Sequence, residues 1–109
     1  MYTVKIRKIV ERSVFNRLMA SAKRHGWTPA EVEPWGEEAV KATTKAAVWK
    51  VCDNYDEVTI YFSHADHPFQ SGIVLNFGNS GYDLISDGGK RLLPVMDEVS
   101  AWVRETYLD

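Results

Sequence analysis

Apolar and polar side chains alternate over the first part of the chain, from Tyr2 to Arg7. This period of two is typical of a half-buried strand, so the pattern predicts a strand at about 2–10. From Ser13, a residue type that caps helices, apolar residues recur at helical spacing. The pattern therefore predicts a helix that ends at His25–Gly26, because glycine commonly follows the last turn of a helix.

The next segment contains two prolines and two tryptophans. Thr28 and Glu31 have the spacing of a capping box, and Pro34 disfavours helical backbone at the residue before it. At most a single helical turn is predicted here. The residues from Glu37 to about Asp53 then place apolar side chains on one helical face, so a second long helix is predicted there.

The second half of the chain begins with the pattern of strands. Strands are predicted at 58–62 and 73–77 from their alternation, and a third short strand is predicted at 82–86, after the tight turn that follows. A long hairpin loop at 64–71 would join the first two strands, and the tight turn Gly78–Gly81 would join the second to the third. These three strands are expected to form a meander.

The last predicted helix, at about 90–107, has the clearest apolar face of the chain. Val99 and Val103 lie at the centre of that face, and charged residues fill the opposite side. The predicted order of elements is βααβββα. It indicates an α+β fold in which helices pack on a mainly antiparallel sheet of three to four strands, formed by a single domain over residues 1–109.

Length and composition are those of an ordinary globular protein. The 109 residues correspond to one domain, and the content of 45% apolar and 26% charged residues excludes intrinsic disorder and coiled-coil arrays. With a single cysteine, Cys52, the chain has no internal disulfide and no cysteine-rich zinc site. We find no apolar segment of membrane-spanning length and no signal peptide, so we expect a soluble cytoplasmic protein without a membrane partner.

The net charge of −2 conceals an uneven distribution of charge along the chain. Residues 1–50 contain ten Lys or Arg against five Asp or Glu, a net charge of +5, whereas residues 51–109 contain three against ten, a net charge of −7. Such a division fits either a basic surface for an acidic partner or two halves that neutralise each other in the fold. The second interpretation is favoured, because one small domain packs its halves together.

The predicted hairpin loop begins with a stretch of four residues that contains three side chains of types that ligate metals, those of His64, Asp66 and His67. A site made of these three would leave coordination positions open, as a metal-dependent enzyme requires. The only other histidine is His25, so no second group of ligands supports the site. A polar, turn-forming loop is the favoured interpretation, and a metal-dependent enzyme is a distant alternative.

No set of catalytic or cofactor-binding residues emerges from the sequence. Cys52 is predicted to be buried near the end of a helix, and no base is placed beside it. The segment Asp87–Lys90 precedes a helix but lacks the spacing of a phosphate-binding loop. We therefore predict no catalytic residue, no metal and no cofactor.

The first 25 residues hold seven Lys or Arg and one acidic residue, Glu11. A patch of this kind binds the phosphates of nucleic acid in many proteins. The acidic second half of the chain argues against a general DNA-binding protein. A nucleic-acid or nucleoprotein binder that uses the basic N-terminal strand and helix is therefore the alternative hypothesis.

Aromatic residues outside the predicted apolar faces favour a protein partner, because tryptophan and tyrosine are enriched where proteins bind each other. Trp49 lies opposite the apolar face of its predicted helix, Trp35 follows a proline-rich connection, and Phe69 lies within the long hairpin loop. The candidate partner-binding residues are Trp35, Trp49, Phe69, Lys5, Arg7 and Lys45.

The sequence therefore predicts a small protein-binding module without enzymatic activity, which docks on a larger protein or complex as an adaptor or an inhibitor. Short proteins of phages and other mobile elements often act in this way, including inhibitors of bacterial defence complexes. That expectation concerns a class of proteins and rests on no motif of this chain.

Overall fold

The computed structural model describes residues 1–108, which form three α-helices and five β-strands. The helices are α1 (Val4–Arg24), α2 (Lys45–Cys52) and α3 (Leu93–Val103). A 3₁₀ turn, Lys90–Leu92, leads into α3, and a π-helical segment, Arg104–Leu108, continues it. The strands are β1 (Trp27–Pro34), β2 (Val40–Lys41), β3 (Glu57–His64), β4 (His67–Asn76) and β5 (Ile85–Gly88).

The five strands form one antiparallel sheet in the order β2-β1-β3-β4-β5. The α+β fold class predicted from the sequence is therefore confirmed, although the sheet has five strands rather than three or four. β3 lies at the centre, where Ile60 pairs with Val32 of β1 on one side and with Ile73 of β4 on the other. The observed order of elements is αββαβββα, which differs from the predicted order in the first half of the chain.

The predicted strand at 2–10 is wrong, because most of these residues belong to α1. Thr3 caps the helix: its hydroxyl accepts a hydrogen bond from the backbone N–H of Ile6 (3.2 Å). The alternation is misleading because the first turns of the helix bury little, and Val4, Ile6 and Ile9 are all exposed. The helical spacing of the buried residues that follow decides the structure of the whole segment.

The predicted helical turn after Thr28 is also wrong, because residues 27–34 form the strand β1. The neighbouring strands β2 and β3 pair with this strand, and tertiary pairing of this kind overrides the local preference of a capping-box sequence. Both prolines stand where a strand tolerates them. Pro29 borders a shift of register, and Pro34 is the last residue of the strand.

The second predicted helix, 37–53, is shorter in the structure. α2 begins after Thr44, whose hydroxyl accepts a hydrogen bond from the backbone N–H of Ala47 (3.1 Å). The residues before this cap include the short strand β2 at the edge of the sheet. The N-cap therefore sets the start of the helix several residues later than the apolar pattern indicates.

The second half of the chain agrees better with the predictions. The strands at 58–62 and 73–77 correspond to β3 and to the end of β4, and the helical segment at 90–107 is confirmed. The hairpin loop predicted at 64–71 shortens to a two-residue turn, because β4 extends back to His67, which pairs with His64. The third strand, predicted at 82–86, is displaced to 85–88 (β5).

The described helices cover one face of the sheet, and the core lies between the two layers. Alternate side chains of the central strands point towards the helices and are buried there. The largest fully buried side chains are Phe15, Leu18, Ile60, Phe62, Ile73, Leu75, Leu84 and Leu92. We call the other side of the sheet the open face; its residues include Glu31, Glu33, Thr59, Tyr61 and Val74.

A buried carboxylate attaches the loop after β4 to α1. Glu11 accepts a hydrogen bond from the backbone N–H of Gly78 (2.6 Å), and its carboxylate lies 3.8 Å from Nε of Arg7. Arg7 in turn donates to the carbonyl of Gly78 (3.5 Å), and the hydroxyl of Tyr2 donates to the carbonyl of Ser80. The N-terminal half of α1 therefore holds this loop in place.

Replacing Val99, which is 1% exposed in α3, with Asp is expected to unfold the domain. The substitution buries a charge without a partner, which costs several kcal/mol, a large part of the stability of a small domain. Thermal unfolding followed by circular dichroism measures the effect. Ser100→Asp is the matched control, since it places the same charge on the exposed side of the same helix. An unchanged melting temperature for Val99→Asp would contradict the burial of this face.

Cys52 is buried in the core, and this burial raises the pKa of its thiol to about 12. Because the thiolate is the reactive form, we expect the folded protein to react with DTNB at pH 8 at least about a hundredfold more slowly than the protein in concentrated guanidinium chloride. Absorbance of the released thiol reports both rates. Similar rates in the two conditions would show that α2 leaves the thiol accessible.

Candidate functional site

Trp35 is the most exposed aromatic side chain on the surface described by residues 1–108, with 74% of its area accessible. It directly follows β1, and its backbone N–H donates to the carbonyl of Glu57 (3.0 Å), so its main chain is fixed to β3. Gly36 has a φ of 80°, a value that favours glycine, and turns the chain away from the sheet. The indole therefore projects into solvent from a rigid strand end.

Carboxylates surround Trp35 on both sides. One shallow groove beside it is bordered by Tyr55, Asp56 and Glu57, and a second by Glu33 and Glu37. No Lys, Arg or His lines either groove. We call this surface the Trp35 patch; it consists of Glu33, Trp35, Glu37, Tyr55, Asp56 and Glu57.

The Trp35 patch continues onto the open face through Tyr61. The hydroxyl of Tyr61 donates to Oε1 of Glu33 (3.1 Å), and its ring lies over Gly72, where a Cβ atom would come within 3.2 Å of the ring. Burial, then the hydrogen bond to Glu33 and the negative charges of Glu33 and Glu31, raise the pKa of Tyr61. The phenol therefore stays neutral and holds the Glu33 carboxylate in position.

The chemistry of the Trp35 patch suits a cation. The face of an indole ring attracts an ammonium or guanidinium group, and carboxylates nearby strengthen that attraction. Tyr55 adds a second accessible ring, with 38% of its area exposed. A lysine or arginine side chain in contact with Trp35 would therefore have both an aromatic surface and carboxylate partners.

The structure does not bring the three candidate aromatic residues together. Trp49 is half-buried and packs inside the molecule, with its ring 4.9 Å from that of Phe15 and 5.9 Å from that of Phe77. Phe69 is 72% exposed but lies near the end of the sheet opposite Trp35. Since the strands between them rise about 3.3 Å per residue, this separation is roughly 20 Å.

The candidate cations lie on the helices rather than beside Trp35. Arg7 is committed to internal contacts with Glu11 and with the loop after β4. Lys5 in α1 and Lys45 at the start of α2 are exposed. The two grooves beside Trp35 are therefore acidic, and of the basic candidates Arg7 comes near the patch, because it lines a neighbouring groove with Tyr55 and Asp56.

Sequence reasoning missed Tyr55 and the carboxylates of the Trp35 patch. Asp56 and Glu57 precede a predicted strand, and nothing local indicates that they lie beside Trp35. The pairing of β1 with β3, which aligns Pro34 with Val58, brings the two segments together. An acidic cluster near a strand start is the only signal of this surface in the sequence.

The histidines of the loop considered above as a metal site, His64 and His67, make other contacts in the structure. Nδ1 of His64 accepts from the backbone N–H of Asp66 (3.0 Å), so Nε2 carries the proton and donates to the carbonyl of His25 (3.0 Å). His67 stacks on the buried Trp27, with ring centroids 5.3 Å apart. Within residues 1–108, no three His, Cys, Asp or Glu side chains are grouped so that they could hold a metal ion.

None of the helices in residues 1–108 has the length and apolar character needed to cross a membrane. Comparison of the chain with protein-family models, with curated proteins and with solved structures finds no match. Inference about the function therefore rests on the chemistry of the described surface.

Proposed function

We propose that this chain is a protein-binding module that docks on a basic segment of a larger protein through the Trp35 patch. One observation carries the proposal: a tryptophan with 74% of its area exposed stands among four carboxylates with no cation lining the same grooves. The surface therefore offers a hydrophobic anchor and a negative potential at the same place. An adaptor and an inhibitor both use such a surface.

The energetic argument concerns the exposed indole. A tryptophan side chain buries about 150–250 Å² on binding and is among the residues most enriched at the energetic centres of interfaces. A cation over its face contributes about 0.5–2 kcal/mol, depending on how far it is desolvated. A basic partner segment gains from both terms, whereas a neutral apolar segment would leave the carboxylates without partners.

The patch is also preorganised, which lowers the entropy cost of binding. The Trp35 backbone is bonded to β3, and the backbone N–H of Tyr55 donates to the carbonyl of Cys52 (3.1 Å) at the end of α2. Both aromatic residues therefore sit on segments held by main-chain hydrogen bonds. A partner would need to order little of this surface when it binds.

An arginine-rich peptide labelled with fluorescein is expected to bind the wild-type protein, with affinity measured by fluorescence anisotropy. Trp35→Ala should weaken binding about tenfold or more, ~1.4 kcal/mol, because the substitution removes the anchor together with its cation–π interaction. Phe69→Ala is the matched control, since it removes an equally exposed aromatic ring at the other end of the sheet. Equal weakening by the two variants would contradict the proposal.

Neutralising carboxylates of the Trp35 patch tests whether their negative charge contributes to binding of a basic segment. The double variant Glu33→Gln and Glu57→Gln should weaken binding of the same peptide by about tenfold at low salt, and less at high salt, because added salt screens exposed charges. The double variant Asp97→Asn and Glu105→Gln removes the same number of charges from the helical layer and should bind as the wild type does. A peptide with glutamate in place of arginine should not bind; if it binds equally well, the partner is not basic.

A further inference from the structure

The positive charges of the chain are concentrated on two helices. α1 and α2 carry nine of the thirteen Lys and Arg residues but one of the fifteen Asp and Glu residues, the buried Glu11. The nine are Lys5, Arg7, Lys8, Arg12, Arg17, Lys23, Arg24, Lys45 and Lys50. This segregation is sharper than the division between the two halves of the sequence.

Internal ion pairs neutralise little of this charge. Among residues 1–108, the only side-chain ion pairs that involve these nine cations within 4 Å are Arg24 with Glu98 and Arg7 with Glu11. Arg12 instead lies over the ring of Trp49, 4.3 Å from its centroid. Of these two ion pairs, only the pair of Arg24 with Glu98 joins the basic half of the described chain to the acidic half.

Four of these cations share one side of α1. At 100° per residue they fall within about 60° of arc, and at 1.5 Å per residue the row from first to last is ~27 Å long. The row consists of Lys5, Lys8, Arg12 and Lys23. It lies on the side of α1 that faces α2, as the contact of Arg12 with Trp49 shows.

A groove of about 470 Å³ extends the row between α1, β1 and the start of α2. Lys23 and Lys45 stand in its lining, and no carboxylate does. Lys8 is the member of the row that borders carboxylates, those of Asp53 and Asp56, across a neighbouring groove. We call the surface formed by Lys5, Lys8, Arg12, Lys23 and Lys45 the α1–α2 face.

We propose that the α1–α2 face binds the phosphate backbone of nucleic acid. A row of cations ~27 Å long spans about eight base pairs at 3.4 Å each, so cations at its two ends can contact separate phosphates of one backbone. The carboxylates that border the row, those of Asp53 and Asp56, lie at its Lys8 end, whereas no carboxylate lines the groove at Lys23 and Lys45. The proposal uses no residue of the Trp35 patch, although Asp56 of that patch lies across a groove from Lys8.

The test measures binding of a fluorescein-labelled DNA duplex of about 20 base pairs, longer than the row, at two salt concentrations. One quadruple variant changes Lys5, Lys8, Lys23 and Lys45 to Gln and keeps Arg12, which covers Trp49. The control variant changes Lys41, Lys90, Arg91 and Arg104 to Gln, which are all the cations outside α1 and α2. Both variants lower the net charge by the same amount, so only the position of the charges differs.

Wild type and control variant are expected to bind with affinities within about threefold of each other, and the α1–α2 variant at least tenfold more weakly. Its plot of log affinity against log salt should also be shallower, by about 0.9 for each phosphate that the variant no longer neutralises. A single-stranded RNA of equal length distinguishes the two nucleic acids, which share the phosphate chemistry. If the quadruple variant does not fold, the pairs Lys5→Gln with Lys8→Gln and Lys23→Gln with Lys45→Gln are each expected to give part of the weakening.

Several results would overturn this proposal. Equal weakening by both quadruple variants would show that binding depends on net charge and not on the α1–α2 face. If the wild-type protein does not bind the duplex at low salt, the α1–α2 face does not bind nucleic acid. Equally tight binding of an oligoglutamate peptide would assign the α1–α2 face to an acidic protein. Equally tight binding of vesicles of phosphatidylserine and phosphatidylcholine would assign it to an anionic lipid surface.

Discussion

The burial of only one face of the sheet determines where the other surface features lie. Every second side chain of the central strands enters the core beneath the helices, so the alternate side chains stay in contact with water. On β1 and β3 these positions hold Glu31, Glu33 and Glu57 beside Tyr61, and Lys41 of β2 stands opposite Glu31, so carboxylates outnumber cations at these positions. The helices form the opposite layer, and the cations of α1 accumulate there, four of them on the side of α1 that faces α2. Charge is therefore divided between layers of the fold.

The elements that could be predicted from the sequence are those in which the apolar residues that recur along the chain are the residues that the fold buries. The strands around Ile60 and Leu75 and the helix around Val99 satisfy this condition, because each buries the face that its pattern marks. The segment Tyr2–Arg7 does not, since its apolar side chains stay largely exposed and their alternation reflects no buried face. The Thr28 segment fails for another reason: its partner strand lies about thirty residues further along the chain, beyond any local pattern.

The residues around Trp35 could not be predicted from the sequence either, because long-range strand pairing brings them together. The place of Trp35 after a proline-rich connection indicates its exposure, but its neighbours come from the segment before β3 and reach it only through strand pairing. Trp49 lies outside the predicted apolar face of α2, yet Phe15 and Phe77 contact it, because a second helix packs on that side. A helical pattern describes one buried face and does not show a second neighbour.

The two charged surfaces meet at one groove, where Lys8 of the α1–α2 face lies across from Asp56 of the Trp35 patch. At 1.5 Å per residue, Lys23 lies about 22 Å further along α1 than Lys8, more than twice the screening length of ~8 Å at physiological ionic strength. A partner that binds at Trp35 therefore senses mainly carboxylates, and a partner that binds at Lys23 and Lys45 senses mainly lysines. The net charge of −2 describes neither surface. Trp35 and the lysines at the far end of the α1–α2 face, Lys23 and Lys45, line different grooves, so a partner bound at Trp35 leaves that end accessible. Taken together, the two proposals describe an adaptor that joins a basic protein segment to a nucleic acid.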